Sequence, residues 1–84
     1  MTVETFEKVL RAMMRRTPFK PFTVELHGGE RFEIDAPDAT VIREGVAIFY
    51  APGFVPNYFD HLSVNRFIDS PAYAVRQTEP PPTD

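Results

Sequence analysis

The spacing of apolar residues changes once along this chain, at residues 17–21, and the change limits the folds that the chain can adopt. Before this segment, apolar residues recur at intervals of three and four positions, as on one face of a helix: Phe6, Val9, Leu10 and Met13. After it, apolar and polar residues alternate, as in strands with one buried face. Pro18 cannot continue a helix. We therefore predict an amphipathic helix over residues 3–16, with Thr2 as its N-cap, followed by a β-structured body.

Two hairpins follow the helix. The first turns at Gly28 and Gly29, and the alternation of faces favours a three-residue loop that starts at His27, with Val24 opposite Phe32. This loop requires Gly29 to be left-handed. The same reasoning predicts a three-residue loop ending on Gly45 in the second hairpin, with Ile42 opposite Val46. Because both faces of the second hairpin are apolar, we expect a cover on each side.

The complete pattern predicts a mainly β (α+β) fold in one small domain over residues 1–69. We expect about five short antiparallel strands after the helix, forming a small SH3-like or Sm-like barrel or a strongly bent sheet. An open sheet with the helix across one face is the competing arrangement. The candidate strand segments are about 22–27, 30–35, 39–43, 46–51, 57–61 and 66–69, with a single helical turn at 62–65. Residues 70–84 hold four of the nine prolines and are predicted to form a flexible tail.

Composition excludes several classes of protein. The chain has no cysteine, which excludes disulfides, a thiolate nucleophile and a zinc-thiolate site. Its longest apolar run, Val46–Ala51, has six residues, whereas a membrane-spanning helix needs about 20. The first residues lack the apolar stretch of a secretory signal. We expect a cytoplasmic protein that does not enter a membrane.

Charge is unevenly distributed within the net −3 of the chain. Residues 1–22 have five basic side chains and two acidic ones, whereas residues 23–69 have three basic and eight acidic. This basic end could contact an anionic partner or the acidic body of a second copy, although a solvated helix face explains it most simply. The candidate nucleic-acid-binding residues are the four at the end of the predicted helix: Arg11, Arg15, Arg16 and Lys20.

Catalytic and metal-binding residue types are few. Asp60, His61 and Ser63 are the residue types of a catalytic triad, but neighbouring strand residues point to opposite faces. We expect Asp60 or Ser63 to cap the following turn instead. The two histidines, His27 and His61, do not have metal-ligand spacing, and no glycine-rich phosphate loop is present. We predict no enzyme activity, no cofactor and no metal site.

Several segments of the sequence resemble a pattern found in other proteins. The Pro-Phe-x-Pro-Phe element at residues 18–22, the glycine turn after Leu26, and Ser63, Arg66, Phe67 and Ile68 near the end resemble a group of short uncharacterised bacterial proteins. The resemblance covers about residues 6–69. It implies a helix and a small barrel-like body, with no activity attached. Residues 59–65 also resemble the RNA-binding segment of Sm-like proteins, but the interval from Asp60 to Asn65 is one residue longer, and we carry no role over.

The most informative segment is residues 50–58, which is aromatic where a loop should be polar. Two prolines restrict it, so ordering it on a partner costs less entropy than ordering an unrestricted loop. The candidate protein-interaction residues are Tyr50, Phe54, Val55 and Tyr58. The equal alternative is that Phe54 and Val55 fold back to plug the end of the barrel. We predict a non-catalytic interaction or regulatory module that self-associates, with binding of RNA or single-stranded nucleic acid through the basic helix end as the alternative.

Overall fold

The computed structural model describes residues 1–70, which form one helix and six antiparallel strands. The helix α1 comprises Val3–Met14. A 3₁₀ turn, Pro37–Ala39, precedes the third strand. The strands are β1 (Phe22–Leu26), β2 (Arg31–Ile34), β3 (Thr40–Arg43), β4 (Val46–Ala51), β5 (Val55–Asp60) and β6 (Val64–Ile68). The flexible tail predicted for residues 70–84 lies outside the described residues, apart from Ser70.

The helix α1 begins where the sequence predicts and ends two residues early. The Thr2 hydroxyl accepts a hydrogen bond from the backbone N–H of Thr5 at 3.1 Å, as an N-cap does. At the other end, Arg15 is the C-cap, and its N–H donates to the Arg11 carbonyl at 3.0 Å. The chain leaves the helix before Thr17 because a residue that precedes proline is disfavoured in helical conformation.

The strands form two three-stranded sheets and not a closed barrel. The first sheet has the order β2-β1-β6, and the second has the order β3-β4-β5. Within residues 1–70 no ladder joins the two sheets. The 3₁₀ turn separates β2 from β3, and a turn after Asp60 separates β5 from β6. The expected closed barrel is therefore wrong, and six strands form where about five were expected, whereas the mainly β fold with one N-terminal helix is confirmed.

The first hairpin has the predicted register. Val24 lies opposite Phe32, and Phe22 lies opposite Ile34. Gly29 has a φ of +89°, and its N–H donates to the Leu26 carbonyl at 2.9 Å. The alternation of apolar and polar residues predicts this register correctly because only one face of each strand is apolar.

The second hairpin differs from the prediction by one residue. Glu44 and Gly45 form a two-residue loop with φ angles of +51° and +81°, a conformation that matches the twist of paired strands. Ile42 therefore lies opposite Ala47 and not opposite Val46. This shift turns Ala47 and Phe49 into the core and leaves Val41, Val46 and Tyr50 exposed. The cover expected on the second side of this hairpin is absent within residues 1–70.

The last two strands are longer than predicted. β5 starts at Val55 and includes Pro56, which lies opposite Tyr50. A proline is tolerated there because β5 is an edge strand. β6 starts at Val64, so the helical turn predicted for residues 62–65 is wrong. Asp60 and Ser63 close a tighter turn there, so Asn65 already lies in β6.

The core joins α1 to both sheets through phenylalanine rings. The centroid of the Phe6 ring lies 5.8 Å from that of Phe59 in the second sheet and 5.9 Å from that of Phe67 in the first. Phe32 of the first sheet stacks on Phe49 of the second at 6.2 Å and meets Phe59 edge-on at 5.2 Å. Such ring pairs contribute about 0.5–1.5 kcal/mol each beyond the area that they bury.

Gly45 lies where α1 meets the second hairpin. Its N–H donates to the Glu7 carboxylate at 2.7 Å, and a Cβ there would lie 2.9 Å from both His61 and Val3. Gly29 also has a positive φ but has open space around it, so Gly29→Ala is the matched control. We expect Gly45→Ala to lower the free energy of unfolding by about 1–3 kcal/mol more than Gly29→Ala does, because overpacking adds to the shared backbone strain. Urea denaturation measures both, and equal losses would contradict the tight packing.

Candidate functional site

An apolar row crosses the outer face of the second sheet. Val41 lies opposite Ile48, and Ile48 lies opposite Tyr58, so the three side chains align across β3, β4 and β5. Val41 is 58% exposed and Tyr58 is 68% exposed. Tyr50 points to the same face two residues beyond Ile48. A contiguous exposed apolar patch of this kind is typical of an interaction site.

Phe54 is the most exposed large apolar residue in the described chain. It follows Gly53 in the loop between β4 and β5, and its own φ is +60°. A left-handed backbone at a bulky residue costs about 1–3 kcal/mol and is frequent at functional sites. Phe54 is 88% exposed and Val55 is 54% exposed, so neither plugs the interior.

A pocket of about 590 Å³ lies beside this loop, between the segment after β2 and the end of β4. Its volume is within the range of small-ligand and side-chain pockets. Most of its wall is apolar, and its only charged groups are two carboxylates. The lining residues are Asp35, Ala36, Asp38, Ala39, Tyr50, Ala51, Pro52, Gly53 and Phe54.

The structure brings together some of the predicted interaction residues and separates others. Tyr50 and Phe54 line the same pocket. Tyr58 shares the outer face with Tyr50, whereas Val55 alternates to the opposite side of β5. Sequence reasoning missed Asp35 and Asp38, whose only signal was their position around the proline of the 3₁₀ turn.

The four basic candidates at the helix end are partly neutralised. Arg11 pairs with Glu7 at 3.3 Å, and Arg16 pairs with Asp69 while donating to the Lys20 carbonyl at 2.7 Å. Arg15 and Lys20 are exposed, and neither forms an ion pair within residues 1–70. The positive charge that is accessible to a partner is therefore smaller than the sequence indicates.

Asp60, His61 and Ser63 form a turn. The Asp60 carboxylate accepts hydrogen bonds from the N–H groups of Ser63 at 2.8 Å and Leu62 at 2.9 Å, and these bonds lower the pKa of Asp60. The Ser63 hydroxyl accepts from the Asp60 N–H, while the His61 ring lies 2.9 Å from the Met1 carbonyl. The prediction of a capping role is confirmed. Within the described residues, no three histidine, aspartate or glutamate side chains are placed to hold a metal ion.

Glu25 forms an ionic cluster across the first sheet. It lies opposite Arg31 on β2 and Arg66 on β6, and both guanidinium groups donate to its carboxylate at 2.7–3.2 Å. Asn65 donates to the same carboxylate at 2.6 Å. The hydrogen bonds from Arg66, Asn65 and Arg31 lower the pKa of Glu25 to about 2. This cluster connects three strands. The sequence pattern does not reveal it, because Glu25 and Arg66 are 41 residues apart in the chain.

The lowered pKa of Glu25 predicts a loss of stability in acid. Its carboxylate stabilises the folded chain fully above its ordinary pKa of 4.5, and this contribution is lost as the pH falls from 4.5 to about 2. We expect Glu25→Gln to lower the free energy of unfolding at pH 7 by about 1–3 kcal/mol and to flatten the decline in that acid range. Urea denaturation across the pH series tests this, with Glu30→Gln in the first hairpin loop as the control. A Glu25→Gln variant that declines as steeply as the wild type would contradict the assignment.

No protein-family model, curated protein or solved structure matches the chain. The kinship with short bacterial proteins therefore stays a prediction from the residues that suggested it. No helix within residues 1–70 is long and apolar enough to cross a membrane.

Proposed function

We propose that this protein is a non-catalytic interaction module that binds protein partners, including a second copy of itself. The contact surface, called here the aromatic surface, comprises Tyr50, Phe54 and Tyr58. Val55 lies on the opposite side of β5 and is not part of it. The observation that carries the proposal is Phe54, which is held in a strained left-handed conformation with 88% of its surface exposed. A side chain that costs stability and packs against so little of its own chain is explained when a partner buries it.

The composition of the aromatic surface supports a protein partner. Tyrosine and phenylalanine bury a large area while few of their bonds lose the freedom to rotate. They are common anchors of protein interfaces. Pro52 and Pro56 flank Phe54 and limit the conformations of the loop before binding. The apolar row that ends at Tyr58 extends the same surface across the second sheet.

Binding of RNA or single-stranded nucleic acid is the weaker candidate. It would use the basic helix end, where Arg11 and Arg16 already pair with carboxylates of the chain. Breaking these pairs would offset part of the gain from phosphate contacts, and the acidic body would repel the rest of the strand. The exposed aromatic residues favour a protein partner more directly than a polyanion.

Self-association of the wild-type chain tests the proposal. We expect sedimentation equilibrium to detect reversible association of the wild type, and we expect Phe54→Gly and Tyr58→Ser each to weaken it about 30-fold, as the loss of an aromatic anchor does. Phe54→Gly should leave stability unchanged or raise it, because glycine relieves the backbone strain. Leu62→Ser is the matched control, since Leu62 is 71% exposed but lies outside the aromatic surface.

A wild type that stays strictly monomeric at the highest soluble concentration would contradict self-association. Equal weakening by Leu62→Ser would assign the association to general hydrophobicity and not to the aromatic surface.

A further inference from the structure

The pocket beside Phe54 has the chemistry of a site for a basic side chain. Tyr50 and Phe54 contribute aromatic wall, and Asp35 and Asp38 contribute negative charge. Neither aspartate forms an ion pair within residues 1–70, and no lysine or arginine lines the pocket. An arginine matches this arrangement, because its aliphatic stem and flat guanidinium pack on aromatic rings while its donors reach carboxylates.

Each copy of the chain carries such an arginine away from its own pocket. Arg15 is the exposed C-cap residue of α1. Its neighbours Arg11 and Arg16 are paired with Glu7 and Asp69, whereas Arg15 has no ion-pair partner within residues 1–70, the pocket aspartates included.

The distribution of charge favours an approach of this end to the pocket of another copy. Residues 1–22 are net positive and residues 23–69 are net negative, so two copies attract each other when the helix end of one faces the acidic body of the other. This complementarity favours a second copy over an unrelated basic partner, because it is built into the chain itself.

We propose that Arg15 of one copy binds in the pocket of a second copy, between the aromatic wall of Tyr50 and Phe54 and the carboxylates of Asp35 and Asp38. The inference rests on the proposed self-association and specifies its contact. It also gives Phe54 a defined role, which is to cover the stem of the incoming arginine. The interface joins two different parts of the molecule, so each can be disabled in a separate variant.

Charge-reversed variants test the pairing. Arg15→Glu removes the incoming group, and the double variant Asp35→Lys with Asp38→Lys reverses the pocket. We expect each variant alone to self-associate at least about tenfold more weakly than the wild type at low salt. We expect an equimolar mixture to associate within about threefold of the wild type, because the double variant still carries Arg15 and the single variant still carries the pocket. Isothermal titration calorimetry of one variant into the other measures this with no label.

The control is Lys8→Glu, which makes the same charge change at an exposed position of α1. It should self-associate as the wild type does, and circular dichroism of all variants verifies that they fold. Failure of the mixture to associate would overturn the pairing, as would wild-type association of either charge-reversed variant.

These results separate the pairing from the proposed function. If Phe54→Gly weakens association while the charge-reversed variants do not, the aromatic surface stands and the arginine pairing is overturned. If the wild type does not associate at all, both are overturned.

Discussion

The contact of the Phe6 ring with both sheets is the interaction on which the rest of the structure depends. Within residues 1–70 the two sheets share no ladder, so side-chain packing must hold them together, and Phe6 touches Phe59 on one and Phe67 on the other. Phe32 and Phe49 complete the connection. Because these rings pack on the inner face of the second sheet, its outer face receives no cover from the described chain and presents its apolar row outward.

Local signals predicted the parts of this fold that depend on local chemistry. The helix followed from its apolar spacing and from Pro18, and the first hairpin followed from strands with one apolar face. The predicted register of the second hairpin is wrong by one residue. Both of its faces are apolar, so the alternation of apolar and polar residues does not distinguish them. Its loop type depended on Glu44, a residue that rarely adopts a positive φ. The pocket could not be predicted, because the packing of separate segments brings Asp35 and Asp38 to Tyr50 and Phe54.

The polar side chains of the chain divide into those that the fold uses and those that it leaves accessible. Glu25 connects three strands and Asp60 closes a turn, and hydrogen bonds that lower the pKa of each hold them in these structural roles. In contrast, Asp35, Asp38 and Arg15 form no ion pair within the described residues. These accessible charges and the strained Phe54 contribute little to the folded chain, which is why we assign them to contact with a second copy.

The most direct test of the proposed self-association is to identify which residues lie at the contact between two copies. Two-dimensional ¹H–¹⁵N NMR spectra of the wild type, recorded over a series of protein concentrations, report which backbone amides change environment on association. We expect concentration-dependent shifts at the aromatic surface, at residues 35–39 and around Arg15. Spectra that do not change with concentration, or shifts confined to the Glu25 face of the first sheet, would contradict it.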